Sequence, residues 1–283
     1  MNSLESIEIE KGNMERPLIL VTNDDGIKSP GLAALVAALD PLGELLIAAP
    51  AEQQTSMGRS RTRLSDRDGQ IIPQKVRFGE KYWDGFSVRA TPALVVEYAL
   101  QVLASRPISL AISGINYGEN IGSCVTVSGT IGAALEAADR GIPAMTVSLE
   151  IENGEFFKHD ESVDFRSAMH FANYFAGRML GKPFPADVDV LKIEIPKNST
   201  PDSPWVVTRQ DRLSYYSLRI IRSSGELKPD QLFETSVAKG QFTRIGTDAH
   251  ALAKGFVSIT PLSLDCSSRT DLLDLQKLVE SSR

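Results

Sequence analysis

Pro17-Leu18-Ile19-Leu20-Val21-Thr22-Asn23-Asp24-Asp25-Gly26 is a short apolar run that stops on polar turn residues. An uninterrupted apolar stretch bounded in this way reads as a buried strand breaking into a turn. The residues beyond the turn have the helical period. Ser29 stands where a cap belongs and Pro30 at the first position, while Leu32, Leu35, Val36 and Leu39 form one apolar face before Pro41 and Gly43. Leu45 to Ala49 gives a second strand. Outward from there come a helix opened by Thr91-Pro92, a strand at Ile108 to Ile112, a helix from Ile131 to Arg140 closed by Gly141, and a strand at Ala144 to Leu149. A helix from about Glu161 to Leu180 and a strand at Val190 to Ile195 complete the series. Five apolar strands separated by helices predict an α/β fold, a doubly wound, Rossmann-like parallel sheet covered on both faces.

Two segments rich in β-formers interrupt the rhythm, Arg63 to Ala90 and Trp205 to Ile221, and both read as inserted hairpins. Residues about 223–243 read as a polar C-terminal excursion, Phe256 to Ile259 as a late strand, and Leu272, Leu273, Leu275, Leu278 and Val279 as one side of a terminal helix. The organisation is therefore a loose tail over residues 1–16, one domain over 17–265 with insertions at about 63–90 and 200–243, and a C-terminal helix over 266–283.

The composition narrows the function classes. Of 283 residues 42% are hydrophobic and 23% charged, the proportions of an ordinary globular protein. Thirty basic against thirty-six acidic side chains leave a net charge of −6, a poor basis for wrapping nucleic acid, so no stable nucleic-acid complex is expected. Cys124 and Cys266 form no CxxC pair, which favours a reducing compartment. The first sixteen residues lack the apolar core of a secretory signal and no later stretch is long enough to cross a membrane, so a cytoplasmic protein without a membrane partner is expected.

In an open parallel sheet, ligands bind beyond the carboxyl ends of the strands where strand order reverses. The loop after the first strand offers Asn23, Asp24 and Asp25; the second offers Thr55, Ser56 and Ser60; the third offers Ser113, Gly114, Asn116 and Asn120. Adjacent carboxylates repel unless a cation neutralises them, and all-oxygen donors suit magnesium or manganese. Asp24 and Asp25 serving only as turn or cap residues is the competing reading. Ser128-Gly129-Thr130 opens a helix whose free amides and positive dipole end can take an anion such as phosphate, unless Ser128 or Thr130 is simply an N-cap. Arg59, Arg61 and Arg63 form a small basic cluster, read either as a solvated loop or as a means of steering anions. His159, His170 and His250 lie outside these loops and read as surface or packing residues; Cys124, with no base beside it in sequence, reads as a bystander thiol.

Taken in order, these loops resemble the SurE family, the survival-protein E nucleotidases. The resemblance rests on Asn23-Asp24-Asp25-Gly26 with Pro30-Gly31, and on Ser113-Gly114-Ile115-Asn116 through Gly118, Asn120 and Gly122 to Ser128-Gly129-Thr130. It continues through Gly141-Ile142-Pro143-Ala144, Val207-Thr208-Arg209, Thr247-Asp248 and Gly255 to Leu262. It implies a metal-dependent phosphomonoesterase that hydrolyses nucleoside 5′- and 3′-monophosphates and, in some members, short polyphosphate. It also implies one divalent ion, Mg2+ or Mn2+, per subunit, and a homodimer or homotetramer with exchanged C-terminal segments.

Carried over by position, Asp24, Asp25 and Asn116 match the family's metal ligands, and the fourth ligand, a serine in the family, falls on Thr55, with Ser56 as the neighbouring alternative. Threonine keeps the hydroxyl but stiffens χ1. Cys124 and Val127 stand where an aspartate and a tyrosine are common. On this reading Ser113, Gly114, Asn120, Ser128, Gly129 and Thr130 grip the phosphate, while Asp24 and Asp25 are the catalytic acids, one accepting a proton from the attacking water. Two alternatives remain: an aspartyl-phosphate phosphatase of the haloacid-dehalogenase kind, which wants Asp-x-Asp rather than adjacent acids, and a catalytically impaired nucleotide-binding module of the same fold.

Overall fold

The computed structural model describes residues 15–62, 69–151, 162–220, 233–237 and 244–280. β1 (Leu18–Thr22) is buried at every position and lies at the centre of the sheet. Its lack of alternation follows from having a helical layer on each face. β2 (Glu44–Pro50) pairs parallel on one side of it, and β5 (Leu110–Tyr117) pairs parallel on the other, with Val21 opposite Ile112 and Thr22 opposite Ser113. Beyond β5 run β6 (Ala144–Leu149) and β7 (Val190–Ile195), also parallel. The five strands expected from the sequence thus lie parallel in the order β2-β1-β5-β6-β7. The order reverses between β1 and β5, and the carboxyl ends there carry Asp24, Asp25 and Asn116.

The helices form the two outer layers. α1 (Pro30–Leu39) and α4 (Arg166–Met179) bury Leu32, Leu35, Phe171 and Phe175 against one face. α2 (Pro92–Tyr98) and α3 (Gly129–Asp139) bury Val95, Val96, Ile131 and Ala134 against the other. Each fully buried Leu, Ile or Phe contributes about 1.5–3 kcal/mol relative to exposure, so these two layers dominate the stability. Gly31 is needed because a Cβ there would lie 2.1 Å from the Ile115 carbonyl oxygen, which brings α1 directly against β5.

Both flanks differ from a plain doubly wound sheet. The first expected hairpin forms, β3 (Ile71–Phe78) antiparallel to β4 (Lys81–Val88), and β4 extends the main sheet parallel to β2. The second does not. β8 (Trp205–Val207) runs parallel to β11 (Val257–Leu262), which closes antiparallel on β7, whereas β9 (Tyr216–Ile220) pairs with β10 (Phe233–Val237) as a separate ribbon. Local β-propensity in Trp205 to Ile221 marks two strands but does not choose their partners. Of the polar 223–243 stretch, only β10 is described, and most of the 1–16 tail, Arg63 and His159 lie outside the described residues. α5 (Asp248–Ala253) precedes β11, and α6 (Leu272–Glu280) ends the described chain with no buried residue. Among the described residues no helix is long and apolar enough to cross a membrane.

Candidate active site

The turn after β1 assigns its structural work to Asn23. Its side-chain oxygen accepts from the Gly26 amide and its Nδ2 donates to the Gly26 carbonyl, both at 3.1 Å, while Gly26 takes φ 98°. The two aspartates are left for other purposes. Nor do they cap α1, where Ser29 holds the N-cap position without the side-chain hydrogen bond that its sequence position suggested. Asp24 and Asp25 are only 4% and 2% exposed, and among the described residues no basic side chain is a leading influence on either. Burial pushes the Asp24 carboxyl up to about 6 even though Thr130 hydrogen bonds pull it down. Burial, and then the charge of Asp24, hold Asp25 well above the usual carboxylate range.

Three oxygens converge here with one proton among them. The Thr130 hydroxyl donates to Asp24 Oδ1 and also stands 3.0 Å from Asn116 Oδ1. The Asn116 amide is oriented from behind, its Nδ2 donating to the Gly118 carbonyl at 2.7 Å, so its oxygen faces the acids. Asp25 is fixed by Gln53 Nε2 at 3.0 Å and by the Tyr117 amide at 3.3 Å. A cluster this rich in acceptors is unfavourable by itself and favourable around a hard cation. Among the described residues no group of three or more His, Cys, Asp or Glu forms a metal site. The donors available are instead two carboxylates, an amide oxygen and a hydroxyl, a set that fits Mg2+ or Mn2+.

The start of α3 completes one wall. Ser128 is the N-cap of α3, its Oγ accepting from the Ile131 amide at 3.2 Å. Gly129 lies directly on Asp24. Thr130 contacts Asp24 and Asn116, a link between the helix and the acids that sequence spacing did not reveal. Ser113 is buried on β5 with its hydroxyl lacking a hydrogen-bond partner, in register with Thr22 and Thr146, whose hydroxyls are likewise unpartnered. Gly114 follows with φ 141° and a cis peptide to Ile115.

The second loop approaches from β2. The Gln54 amide donates to the Asp24 carbonyl at 2.7 Å, which ties this loop to the turn after β1; Thr55 and Ser56 follow, both exposed and Ser56 at φ 65°. Arg59 and Arg61 staple this loop to α3 through Glu136, at 2.7 and 2.6 Å, with Arg59 also 2.7 Å from Asp139. Arg59 and Arg61 are thus tied to carboxylates of α3, a role that neither the solvated-loop nor the anion-steering reading of that cluster anticipated. Cys124 Sγ accepts from the Tyr216 amide at 3.4 Å, and His170 and His250 lie in α4 and α5.

Behind the third loop lies a buried charged cluster that sequence reasoning missed. Lys192 and Glu194 of β7 and Asp248 of α5 are each fully buried. Lys192 Nζ reaches Asp248 Oδ2 at 2.9 Å and the Asn120 carbonyl at 2.7 Å, and Glu194 Oε2 accepts from the Asn120 amide at 2.8 Å. The signal was present: two charges alternate inside an otherwise apolar strand, Val190-Leu191-Lys192-Ile193-Glu194-Ile195.

With this geometry in view, the comparisons with known proteins are decisive. The family model described as Survival protein SurE matches residues 19–217. The chain belongs to the SurE family. Its relatives include proteins named 5′-nucleotidase SurE from Methanothrix thermoacetophila, 36% identical over 93% of this chain and 98% of the relative, and from Thermococcus kodakarensis, 35% identical over 92% and 98%. The crystal structure of the SurE protein from Aquifex aeolicus superposes with a TM-score of 0.70 at 27% identity, covering 94% of this chain and all of that one. SurE membership accounts for the α/β architecture.

Proposed function

We propose that the chain is a metal-dependent phosphomonoesterase that hydrolyses nucleoside 5′-monophosphates, and 3′-monophosphates and short polyphosphate as further substrates, to nucleoside or shortened chain and phosphate. The observation that carries this reading is the convergence of Asp24 Oδ1, Asn116 Oδ1 and the Thr130 hydroxyl, with Asp25 adjacent, at the N-terminus of α3. Asp24, Asp25 and Asn116, with Thr55 or its neighbour Ser56, would hold one Mg2+ or Mn2+ per subunit. When bound, such an ion supplies Lewis-acid stabilisation of the transferring phosphoryl group and lowers the pKa of water at the site.

The protein's own groups do the rest. The Gly129 and Thr130 amides belong to the first turn of α3 and lack intrahelical partners, so they and the helix dipole favour phosphate oxygens. Ser113, Gly114, Asn120 and Ser128 line the approach and orient the phosphate for in-line attack. Asp24 accepts the proton of the attacking water. Positioning and electrostatic stabilisation account for most of the acceleration in such transfers. Adjacent acids whose carboxylates take separate partners, Thr130 for Asp24 and Gln53 with the Tyr117 amide for Asp25, favour direct attack by water over an aspartyl-phosphate.

Residues 17–265 form the catalytic unit, acting in the cytoplasm as a homodimer or homotetramer with exchanged C-terminal segments. The wholly exposed apolar side of α6 supports that assembly. Phosphate release from a panel of nucleoside monophosphates, each assayed with magnesium, manganese and chelator, is the test. Metal-dependent release with label from water entering phosphate at single turnover is the expected result. Tight nucleotide binding without turnover under every ion would overturn it.

A further inference from the structure

Burying three ionisable groups is costly, and such a cluster is often no more stable than an apolar replacement of the same volume, so stability alone is a weak reason for Lys192, Glu194 and Asp248. Their hydrogen bonds show a more specific task. Glu194 Oε2 takes the amide hydrogen of Asn120 at 2.8 Å and Lys192 Nζ donates to the carbonyl of the same residue at 2.7 Å. Asn120 Nδ2 donates to Ser148 Oγ on β6 at 3.0 Å. Two residues on, Asp248 Oδ2 takes the Gly122 amide at 3.2 Å. This loop has no regular secondary structure at Glu119 or Asn120 and is flanked by Gly118 at φ 94° and Gly122 at φ 59°. Left to itself it would lose much conformational entropy on adopting one shape. Side chains anchored in rigid strands hold it instead.

We propose that Glu194 and Lys192 of β7, with Ser148 of β6, are positioning residues that fix Asn120 for gripping the substrate phosphate. The inference rests on the reading of Asn120 as a phosphate ligand and adds what sets its geometry. Ser148 engages one of the two amide hydrogens of Asn120 and leaves the other for the ligand. Both main-chain polar groups of Asn120 are satisfied from behind, so the residue meets the phosphate preorganised.

The experiment uses the full chain with Mn2+, reading KM and kcat for a nucleoside 5′-monophosphate and the inhibition constant of inorganic phosphate. Asn120→Ala should raise both KM and the inhibition constant about tenfold, the loss of one positioned hydrogen bond. Glu194→Leu, which removes the acceptor, and Ser148→Ala should each raise them about fivefold or more with kcat within about twofold, whereas Glu194→Gln, which keeps the acceptor, should stay near the parent. In the Asn120→Ala background, Glu194→Leu and Ser148→Ala should cost nothing further. If Glu194→Leu fails to fold, Ser148→Ala decides. Equal losses for Glu194→Leu and Glu194→Gln, or losses that multiply with Asn120→Ala, would overturn the positioning role while leaving Asn120 a ligand. Unchanged phosphate inhibition in Asn120→Ala would remove the ligand reading and this inference with it, and metal-dependent turnover in that variant would still report on the reaction itself.

Discussion

A Cβ added to Gly129 would stand 2.7 Å from Asp24 Cβ and 2.8 Å from Asp24 Oδ2. The first residue of α3 and the first acid after β1 are therefore in direct contact. The amide-lined helix start can reach the same small volume as the acids only because this position carries no side chain.

Gly129→Ala should consequently separate stability from activity. Alanine is the better helix former by about 1 kcal/mol, but its methyl must displace Asp24 from Thr130. A shift on the order of 1 Å in a reacting group costs about 100-fold in rate, and we expect kcat/KM to fall by about that factor with the far-ultraviolet circular dichroism unchanged. A folded variant with near-parental kcat/KM would show that helix and acid are not coupled.

Asp25→Asn tests the paired acids. The change removes a charge and almost no volume, and should abolish Mn2+-dependent phosphate release. It should also leave the metal-free protein at least as stable as the parent at pH 8, because one of two buried, mutually repelling carboxylates is gone. Thermal melts in chelator beside activity in Mn2+ give both readouts. Full activity in a folded variant would sink the assigned site.

How much of this was legible before the structure depended on whether the information is local. The strand at Leu18 to Thr22 and the helix after Ser29 follow from hydrophobic period and Pro30, so their places in the fold were readable. The pairing of β8 with β11 was not, because Trp205-Val206-Val207 carries β-propensity without any mark of a partner fifty residues away. In the site, Asp24, Asp25 and Asn116 could be named from loop positions. Thr130 could be named only as a phosphate ligand and not as the partner of Asp24 and Asn116, and Gln53 and the Tyr117 amide could not be named, since each contact is brought in by tertiary packing from a different element. Lys192 and Glu194 were visible as charges in an apolar strand, but only the neighbouring loop explains them.

Glu194 gives a pH prediction. Burial pushes its carboxyl up to about 8, against the pull of Lys192 and the Asn120 amide and with Asp248 and Glu119 pushing further upward. Its folded value lies above the unfolded value, so the contribution is fully present below about pH 4.5 and is lost as pH rises through about 8. Between pH 6 and 9 the parent should lose on the order of 3 kcal/mol more stability than Glu194→Gln, about 5–10 °C in melting temperature. Parallel melting curves for the two proteins across that range would show that Glu194 does not titrate there.

Leu272, Leu273, Leu278 and Val279 are 73%, 64%, 66% and 65% exposed on a helix with no buried residue. An isolated helix of nine residues is marginal in water, and scattered exposure would not place four large apolar side chains on one short element. Burial against a second copy would contribute about 1.5–3 kcal/mol for each side chain fully covered, enough for a few to decide assembly at micromolar concentration. Removing residues 271–283, or introducing Leu273→Lys with Leu278→Lys, should lower the solution mass measured by light scattering by at least one assembly step. The same mass for parent and both variants would show that α6 is not the element exchanged between subunits.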